Sequence, residues 1–426
     1  MDKFIIEGPT PLKGEIAISG SKNAALPIMA ASLLADSPAR ISNIPVLNDI
    51  LTFNNVLRVT GARVDFDKAE HQLTIHPENI THLEAPYDLV RKMRASFYML
   101  GSLLGKFGKA KVSLPGGCAW GPRPVNLHLE GLKALGAEIE IEGGYVFANA
   151  PGGKLAGGTY ELKPSSVGAT VNLLLAAVLA NGTSEIKNAA KEPDVITLCE
   201  CLNKMGARIS GVGTRTLTVE GVDRLEGTDL SNIPDRIEAG TFIVAGMMHP
   251  DSEITLTGVD PNHLGGFLES VESLDPAISI ENDTIKLSAP DKLQSCSIET
   301  QVYPGFPTDL QAQWATLMTQ AEGNSNITDT IYPDRFSYIP ELNRLGADME
   351  LSHNTARIKG PTPLTGASVM STDLRASVSL VMAGMIASGS TEVLRVYHLD
   401  RGYENLEEKL NKLGAKISRE PAETNY

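Results

Sequence analysis

Cysteine is scarce in this chain: four in 426 residues (Cys118, Cys199, Cys201, Cys296), too few for a disulfide framework and suited to a reducing cytoplasm. Cys199 and Cys201 stand two apart in a helical pattern, where side chains diverge, and no second pair completes a zinc site. Long apolar runs are missing as well. The longest uncharged stretch, residues 164–184, is broken by Gly168, Asn172 and Asn181, and its apolar part is too short to span a bilayer. The opening residues read as strand-like alternation rather than a signal peptide. Basic residues are outnumbered, 37 against 51 acidic, and the resulting net charge of −14 argues against general binding of nucleic acid or anionic membrane. An anionic small molecule could bind only where a cleft gathers cations against that field. The eight histidines are scattered, and there is no P-loop, dinucleotide fingerprint or Ser-His-Asp motif.

What is present is repetition. With 42% hydrophobic and 21% charged residues the composition is that of a soluble globular protein, and the length exceeds one ordinary core, so two domains are expected. The segment Leu132-Lys-Ala-Leu-Gly-Ala-Glu-Ile-Glu140 recurs around Gly61, Gly206, Gly346 and Gly414. With Gly136 these glycines are spaced 75, 70, 140 and 68 residues apart, and the doubled gap holds a worn copy at Val271-Glu-Ser-Leu-Asp-Pro-Ala-Ile-Ser-Ile280. Six copies at a fixed period identify a repeat architecture. Each reads as an amphipathic helix ended by a left-handed glycine and followed by a strand, with Asp275 taking the glycine's place in the fourth copy.

A second helix alternates with the first and is apolar almost all round, as in Val167-Gly-Ala-Thr-Val-Asn-Leu-Leu-Leu-Ala-Ala-Val178; such a helix is buried on every side. The unit is therefore β-α-β-α-β-β, repeated six times. The expected fold is α/β: two inside-out barrel domains of three units each, helices within and sheets outside. Residues 21–230 form the first domain, and residues 1–20 with 231–426 the second. Residues 224–234 read as the linker, and the first twenty residues as completing the last unit.

Three constellations carry chemistry. Leu114-Pro-Gly-Gly-Cys-Ala-Trp-Gly-Pro-Arg-Pro124 is too rich in breakers for a helix or central strand, and sets a thiol (Cys118) near a guanidinium (Arg123) on a candidate lid; its plain alternative is an inert cysteine. Ser19-Gly-Ser-Lys-Asn23 opens a buried helix, whose N-terminus with Lys22 suits an anion, although a lysine in a surface turn reads the same way. Arginines recur where loops meet buried helices: Arg91, Arg94, Arg123, Arg335, Arg375 and Arg401. Arginine's fork matches carboxylate and phosphate, though each alone reads equally as a paired surface residue. In Phe306-Pro-Thr-Asp309, Asp309 is either a helix N-cap or a carboxylate placed to deprotonate a hydroxyl.

Taken together, Ser19-Gly-Ser-Lys-Asn23, Leu114-Pro-Gly-Gly-Cys118 with Arg123-Pro-Val125, Pro234-Asp-Arg-Ile-Glu-Ala-Gly-Thr241, Phe306-Pro-Thr-Asp309, Asp373-Leu-Arg-Ala-Ser377 and Asp400-Arg-Gly-Tyr-Glu404 resemble the UDP-N-acetylglucosamine branch of the enolpyruvyl transferase family. The resemblance runs from end to end and implies the two inside-out barrels. It implies transfer of the enolpyruvyl group of phosphoenolpyruvate to the 3′-hydroxyl of UDP-N-acetylglucosamine, with loss of phosphate, as a first committed step of peptidoglycan synthesis. Carried over, Cys118 is the general acid toward the methylene carbon and the thiol that fosfomycin alkylates. Lys22, Arg123 and Arg401 hold phosphoenolpyruvate, and Asp309 takes the hydroxyl proton. Asn23, Arg94, Arg123, Pro124, Val125, Asn126, Leu127, Ile331, Asp373 and Arg375 line the substrate contacts. The resemblance implies no cofactor, metal, nucleic acid, membrane or obligate protein partner, and a cytoplasmic location.

One position departs from the pattern. Where some members carry a substrate-contacting lysine this chain has Pro164, with Lys163 beside it, so that role is not transferred. The nearest rival is the 5-enolpyruvylshikimate-3-phosphate synthase branch, against which stand Cys118 and the Lys22-Asn23 pair. A non-catalytic sugar-nucleotide-binding paralogue is the other, and the intact catalytic positions oppose it.

Overall fold

Stretches of sequence with no polar face become helices with no exposed face. In the computed structural model, which describes residues 2–115 and 125–422, every residue of the helix Gln311–Met318 is buried, as are Ala169 to Ala177 of Val167–Ala177 and Ile237 to Met247 of Arg236–Met247. Lys22–Ala31, Met99–Phe107 and Leu374–Ile386 share that burial. A helix enclosed in this way has no use for amphipathicity, so its sequence carries none. Strands cover the helices, and they alternate: Thr183–Lys187 and Thr216–Glu220 each bury every second residue and leave those between wholly or partly exposed.

Among the described residues the strands form six sheets of four. Each has one edge strand parallel to its neighbour and antiparallel pairing elsewhere. Three sheets are built from contiguous chain; one of these is Ile298–Glu299, Gly323–Thr328, Thr355–Gly360 and Asp348–Ser352. The other three borrow a strand. Asp229–Ser231 joins Ala39–Ser42 in parallel, Leu230 opposite Ile41, so the segment expected as a linker contributes a strand to the first repeat. Lys13–Ala17 joins Glu253–Thr257 in parallel and opens the fourth repeat. Asp2–Gly8 lies antiparallel between Gly389–Leu394 and Lys416–Pro421 and closes the sixth. The opening residues thus complete two repeats, where one was expected.

The chain divides into two compact units, Gly20–Ile233 and Met1–Ser19 with Pro234–Tyr426. Each has its own apolar core. That of the second includes an edge-to-face trio, Phe267, Phe306 and Trp314, with ring centroids 5.4–6.1 Å apart. The repeating glycines all adopt the left-handed backbone, φ 96–109°, and Asp275 follows at φ 54°. A side chain reinforces this corner in three repeats. Asn203, Asn343 and Asn411 each exchange two hydrogen bonds with the backbone six residues on, at Ile209, Met349 and Ile417. Among the described residues no helix is long and apolar enough to cross a membrane.

Candidate active site

In the unit Gly20–Ile233 the motif around Lys22 is held from below. A Cβ on Gly20 would come within 1.8 Å of the Asn43 carbonyl, so only glycine fits there. Ser21 caps the helix Lys22–Ala31 by accepting from the Ala24 N–H, and its hydroxyl donates to Asp194 at 3.1 Å. Lys22 is no surface turn residue: its side chain is 12% exposed and its Nζ meets the buried Asp49 at 3.1 Å. Asn23 follows it, half-buried.

Arg94 begins the 3-10 turn Arg94–Tyr98 that leads into Met99–Phe107. Behind it lies a buried polar knot that sequence reading missed. The Asn172 carbonyl oxygen accepts from Gly101 N–H, and its amide donates to the Phe97 carbonyl and to His128 Nδ1 at 2.8 Å. Because Asn172 donates, that imidazole nitrogen is an acceptor and His128 is neutral with its proton on Nε2. Burial, with Arg94 as the second cause, holds the His128 pKa down at about 3. In the sequence Asn172 shows only as an interruption of an apolar run; its spacing to Gly101 gives no sign of the contact.

Of the expected nucleotide-sugar run, Val125 and Leu127 pack on the core at the start of the helix Asn126–Ala134, with Asn126 exposed between them. Cys118, Arg123 and Pro124 lie outside the described residues. Cys199 and Cys201 are core residues whose thiols burial pushes up to about 12 and about 11, so neither is a thiolate at neutral pH. Lys163 is exposed and pairs with Glu161 at 2.8 Å.

The other unit gathers Asp309, Arg335 and Arg375. Asp309 Oδ1 is 2.7 Å from Arg335 Nη1, and Oδ2 is 3.3 Å from Arg375 Nη2. Both guanidiniums are almost fully buried, whereas the carboxylate is 27% exposed. Leu310 stands at the N-cap of Gln311–Met318, so the capping alternative for Asp309 gives way: Asp309 faces the two arginines, while Thr308 beside it donates to Asp329 at 2.6 Å. Fully buried Asp329 is the hub beneath. It accepts from Thr300, Thr308 and the backbone N–H groups of Ile331 and Tyr332, which fixes Ile331. Asp373 caps Leu374–Ile386 through the N–H groups of Arg375 and Ala376, which aims Arg375. Arg375 Nη1 also donates to the Tyr403 hydroxyl at 3.0 Å, two residues beyond Arg401, the last residue of the 3-10 turn Val396–Arg401.

The structure therefore joins Asp309 to Arg375 directly, and to Ile331 through Thr308 and Asp329. It adds Asp329 and Tyr403 as supports. Tyr403 stood in a quoted motif; Asp329, one acid between two threonines, carried no signal. Chemically, this is an oriented acceptor carboxylate flanked by fixed cations, the equipment for taking a proton from a hydroxyl beside an anion.

A carboxylate held between two buried cations on an α/β fold of repeated four-stranded sheets suits a transferase that acts on a hydroxyl beside an anion. The chain belongs to the enolpyruvyl transferase family: residues 6–410 match the family described as EPSP synthase (3-phosphoshikimate 1-carboxyvinyltransferase). Among curated relatives it is 54% identical over 421 residues to the UDP-N-acetylglucosamine 1-carboxyvinyltransferase of Chloroherpeton thalassium, covering 99% of this chain and 97% of the relative. It is 52% identical over 421 residues to the protein of the same name from Prosthecochloris aestuarii, covering 99% and 98%. Among solved structures it is similar to the enolpyruvyl transferase NikO from Streptomyces tendae, with TM-score 0.91, 27% identity and 99% of each chain covered. An EPSP synthase from Acinetobacter baumannii, at TM-score 0.78 and 19% identity over 99% of this chain and 100% of that one, shares the fold. The family read from the motifs is the family found.

Proposed function

We propose that this protein transfers the enolpyruvyl group of phosphoenolpyruvate to the 3′-hydroxyl of UDP-N-acetylglucosamine and releases phosphate. The observation that carries the reading is the full-length identity of 54% to a protein named for that activity. The same naming in eight curated relatives at 50–54% identity disfavours the shikimate branch.

Addition comes first. The sugar oxygen bonds to C2 of phosphoenolpyruvate while Asp309 takes the hydroxyl proton and Cys118 delivers one to C3. Elimination then breaks the C2–O bond to phosphate and removes a proton from C3, which restores the double bond. Asp309 is suited to its part because Arg335 and Arg375 fix both its oxygens while leaving it partly open to solvent. Lys22, Arg123 and Arg401 stabilise the charge on phosphate and carboxylate. Asn23, Arg94, Pro124, Val125, Asn126, Leu127, Ile331, Asp373 and Arg375 shape the sugar-nucleotide contacts, and the Cys118 loop is the point of attack for fosfomycin. The enol ether product belongs to peptidoglycan assembly in the cytoplasm.

The test is phosphate release on mixing the protein with both substrates. Turnover that falls to a small residue in Cys118→Ser, and survives without epoxide sensitivity in Cys118→Asp, supports the reading. Preference for shikimate 3-phosphate as acceptor reverses it.

A further inference from the structure

Arg419, on the last strand Lys416–Pro421, makes a constellation that the chemistry above does not use. Its guanidinium grips Asp400 with both prongs, Nη1 to Oδ2 at 3.1 Å and Nη2 to Oδ1 at 2.7 Å. Nε donates to Glu407 at 2.6 Å, and Asp2 lies 3.6 Å from Nη1. The guanidinium carbon sits 5.0 Å from the centre of the Phe4 ring, its partner in strand register. One cation thus serves three carboxylates, and one of those belongs to the residue immediately before Arg401. Asp400 and Arg401 end a 3-10 turn, where successive side chains diverge by about 120°. Fastening Asp400 to the sheet therefore sets the direction in which Arg401 leaves the turn.

We propose that Arg419 is a positioning residue for Arg401: its fork holds the Asp400 carboxylate on the sheet, so that the neighbouring guanidinium is presented to phosphoenolpyruvate instead of being neutralised by its own neighbour. The inference rests on the proposed reading in which Arg401 binds that substrate. It has two parts, geometry and charge. Lysine in place of Arg419 keeps a charge but loses the bidentate grip. Methionine loses both and leaves Asp400, Glu407 and Asp2 without their shared cation. The freed carboxylate at position 400 then competes for Arg401, an effect that Asp400→Asn removes.

The experiment is steady-state phosphate release with each substrate varied, for the wild type, Arg419→Lys, Arg419→Met, Asp400→Asn and the double variant Arg419→Met/Asp400→Asn, with thermal melts alongside. In Arg419→Met the KM for phosphoenolpyruvate is expected to rise about tenfold, with that for UDP-N-acetylglucosamine within about twofold, as the loss of one charge-assisted interaction at the anion requires. Arg419→Lys falls between, and the double variant recovers part of the loss. A wild-type KM for phosphoenolpyruvate in Arg419→Met overturns the proposal. So does an equal loss toward both substrates with no rescue by Asp400→Asn, which marks a merely structural arginine. If Arg419→Met does not fold, Arg419→Lys decides by the same KM split. A wild-type protein with no turnover on the two substrates defeats the functional reading instead, before any variant is made.

Discussion

His128 has no place in the proposed chemistry, yet it makes a measurable claim about the molecule. Its imidazole is held neutral down to about 3, chiefly by burial and then by Arg94, against an ordinary value near 6.5. As pH falls below about 6.5 the unfolded chain binds a proton that the folded one refuses. The stability this group contributes is therefore whole above that point and drains away toward pH 3, at a slope of at most ~1.4 kcal/mol per pH unit. Between pH 6.5 and 5 the loss is roughly 2 kcal/mol. Urea midpoints at pH 7 and pH 5 should separate less in His128→Gln than in the wild type, and equal separations would count against the assignment. Tyr403 offers a second test at this scale. Its hydroxyl receives Arg375 Nη1 and the Gln313 amide and meets Thr241 at 2.9 Å, all in buried surroundings. Tyr403→Phe strands those groups, at a cost of about 1–3 kcal/mol in stability. It also loosens Arg375 against Asp309, so turnover should fall more than substrate affinity; an unchanged kcat would dissociate Tyr403 from the site. Asp309 and Arg375, which pair in the structure, could be singled out because each sits in a motif beside helix-breaking or charged residues. Asp329 and Asn172 were not, since a polar residue that satisfies buried backbone groups looks in sequence like any turn former or any break in an apolar run.

Secondary-structure elements show the same division between pattern and partner. Among the described residues, the six buried helices, and the six amphipathic ones followed by a left-handed residue, were readable because burial on all sides and on one side write different patterns. What joins them was not. Glu238, in the first turn of Arg236–Met247, is 2% exposed, and its carboxylate receives Lys409 Nζ at 2.7 Å and the Ser19 N–H at 2.6 Å. The Ser19 hydroxyl accepts from Lys409 and donates to Glu404, so a single cation binds the end of the opening segment to two helical elements. Burial, the leading cause, raises the Glu238 pKa, while Lys409 works in the opposite direction. A carboxyl raised in the folded state contributes stability that is whole below its unfolded pKa and is lost as pH climbs through the folded one. Lys409→Met removes the opposing influence. The variant should lose about 3–5 kcal/mol at neutral pH, as expected when one partner of a buried pair is deleted. The deficit should shrink as the solution is acidified and Glu238 takes up a proton. Denaturant melts across that range decide the matter, and a deficit that stayed constant with pH would mean the loss is one of packing.

At the scale of the whole chain, three repeats borrow a strand from a distant part of the sequence, and this was the least legible feature. Asp229–Ser231 has three residues, too few to display an alternating period, and it lies in a stretch whose glycine and acidic residues read as a connection. Asp2–Gly8 does alternate and Lys13–Ala17 buries only Ile16, but nothing in either sequence says which repeat it joins. The consequence is an asymmetry in independence. The unit Gly20–Ile233 contains every strand of its three sheets in one continuous piece, Asp229–Ser231 included. The other unit depends on the opening residues: Asp2–Gly8 supplies an inner strand hydrogen-bonded on both sides and the fully buried Phe4 and Ile6, and Lys13–Ala17 an edge. Removing an inner strand leaves two neighbours with unpaired backbone and a core short of two large side chains, each worth about 1.5–3 kcal/mol on burial. A fragment of residues 20–233 should therefore melt cooperatively by circular dichroism on its own. A fragment of residues 234–426 should not, until a peptide of residues 1–19 is added. The pairing requires that this rescue be lost when the peptide carries Phe4→Asp and Ile6→Asp together, because those side chains fill the core under the sheet; a peptide that restored the melt regardless would show that the strand supplies backbone pairing alone.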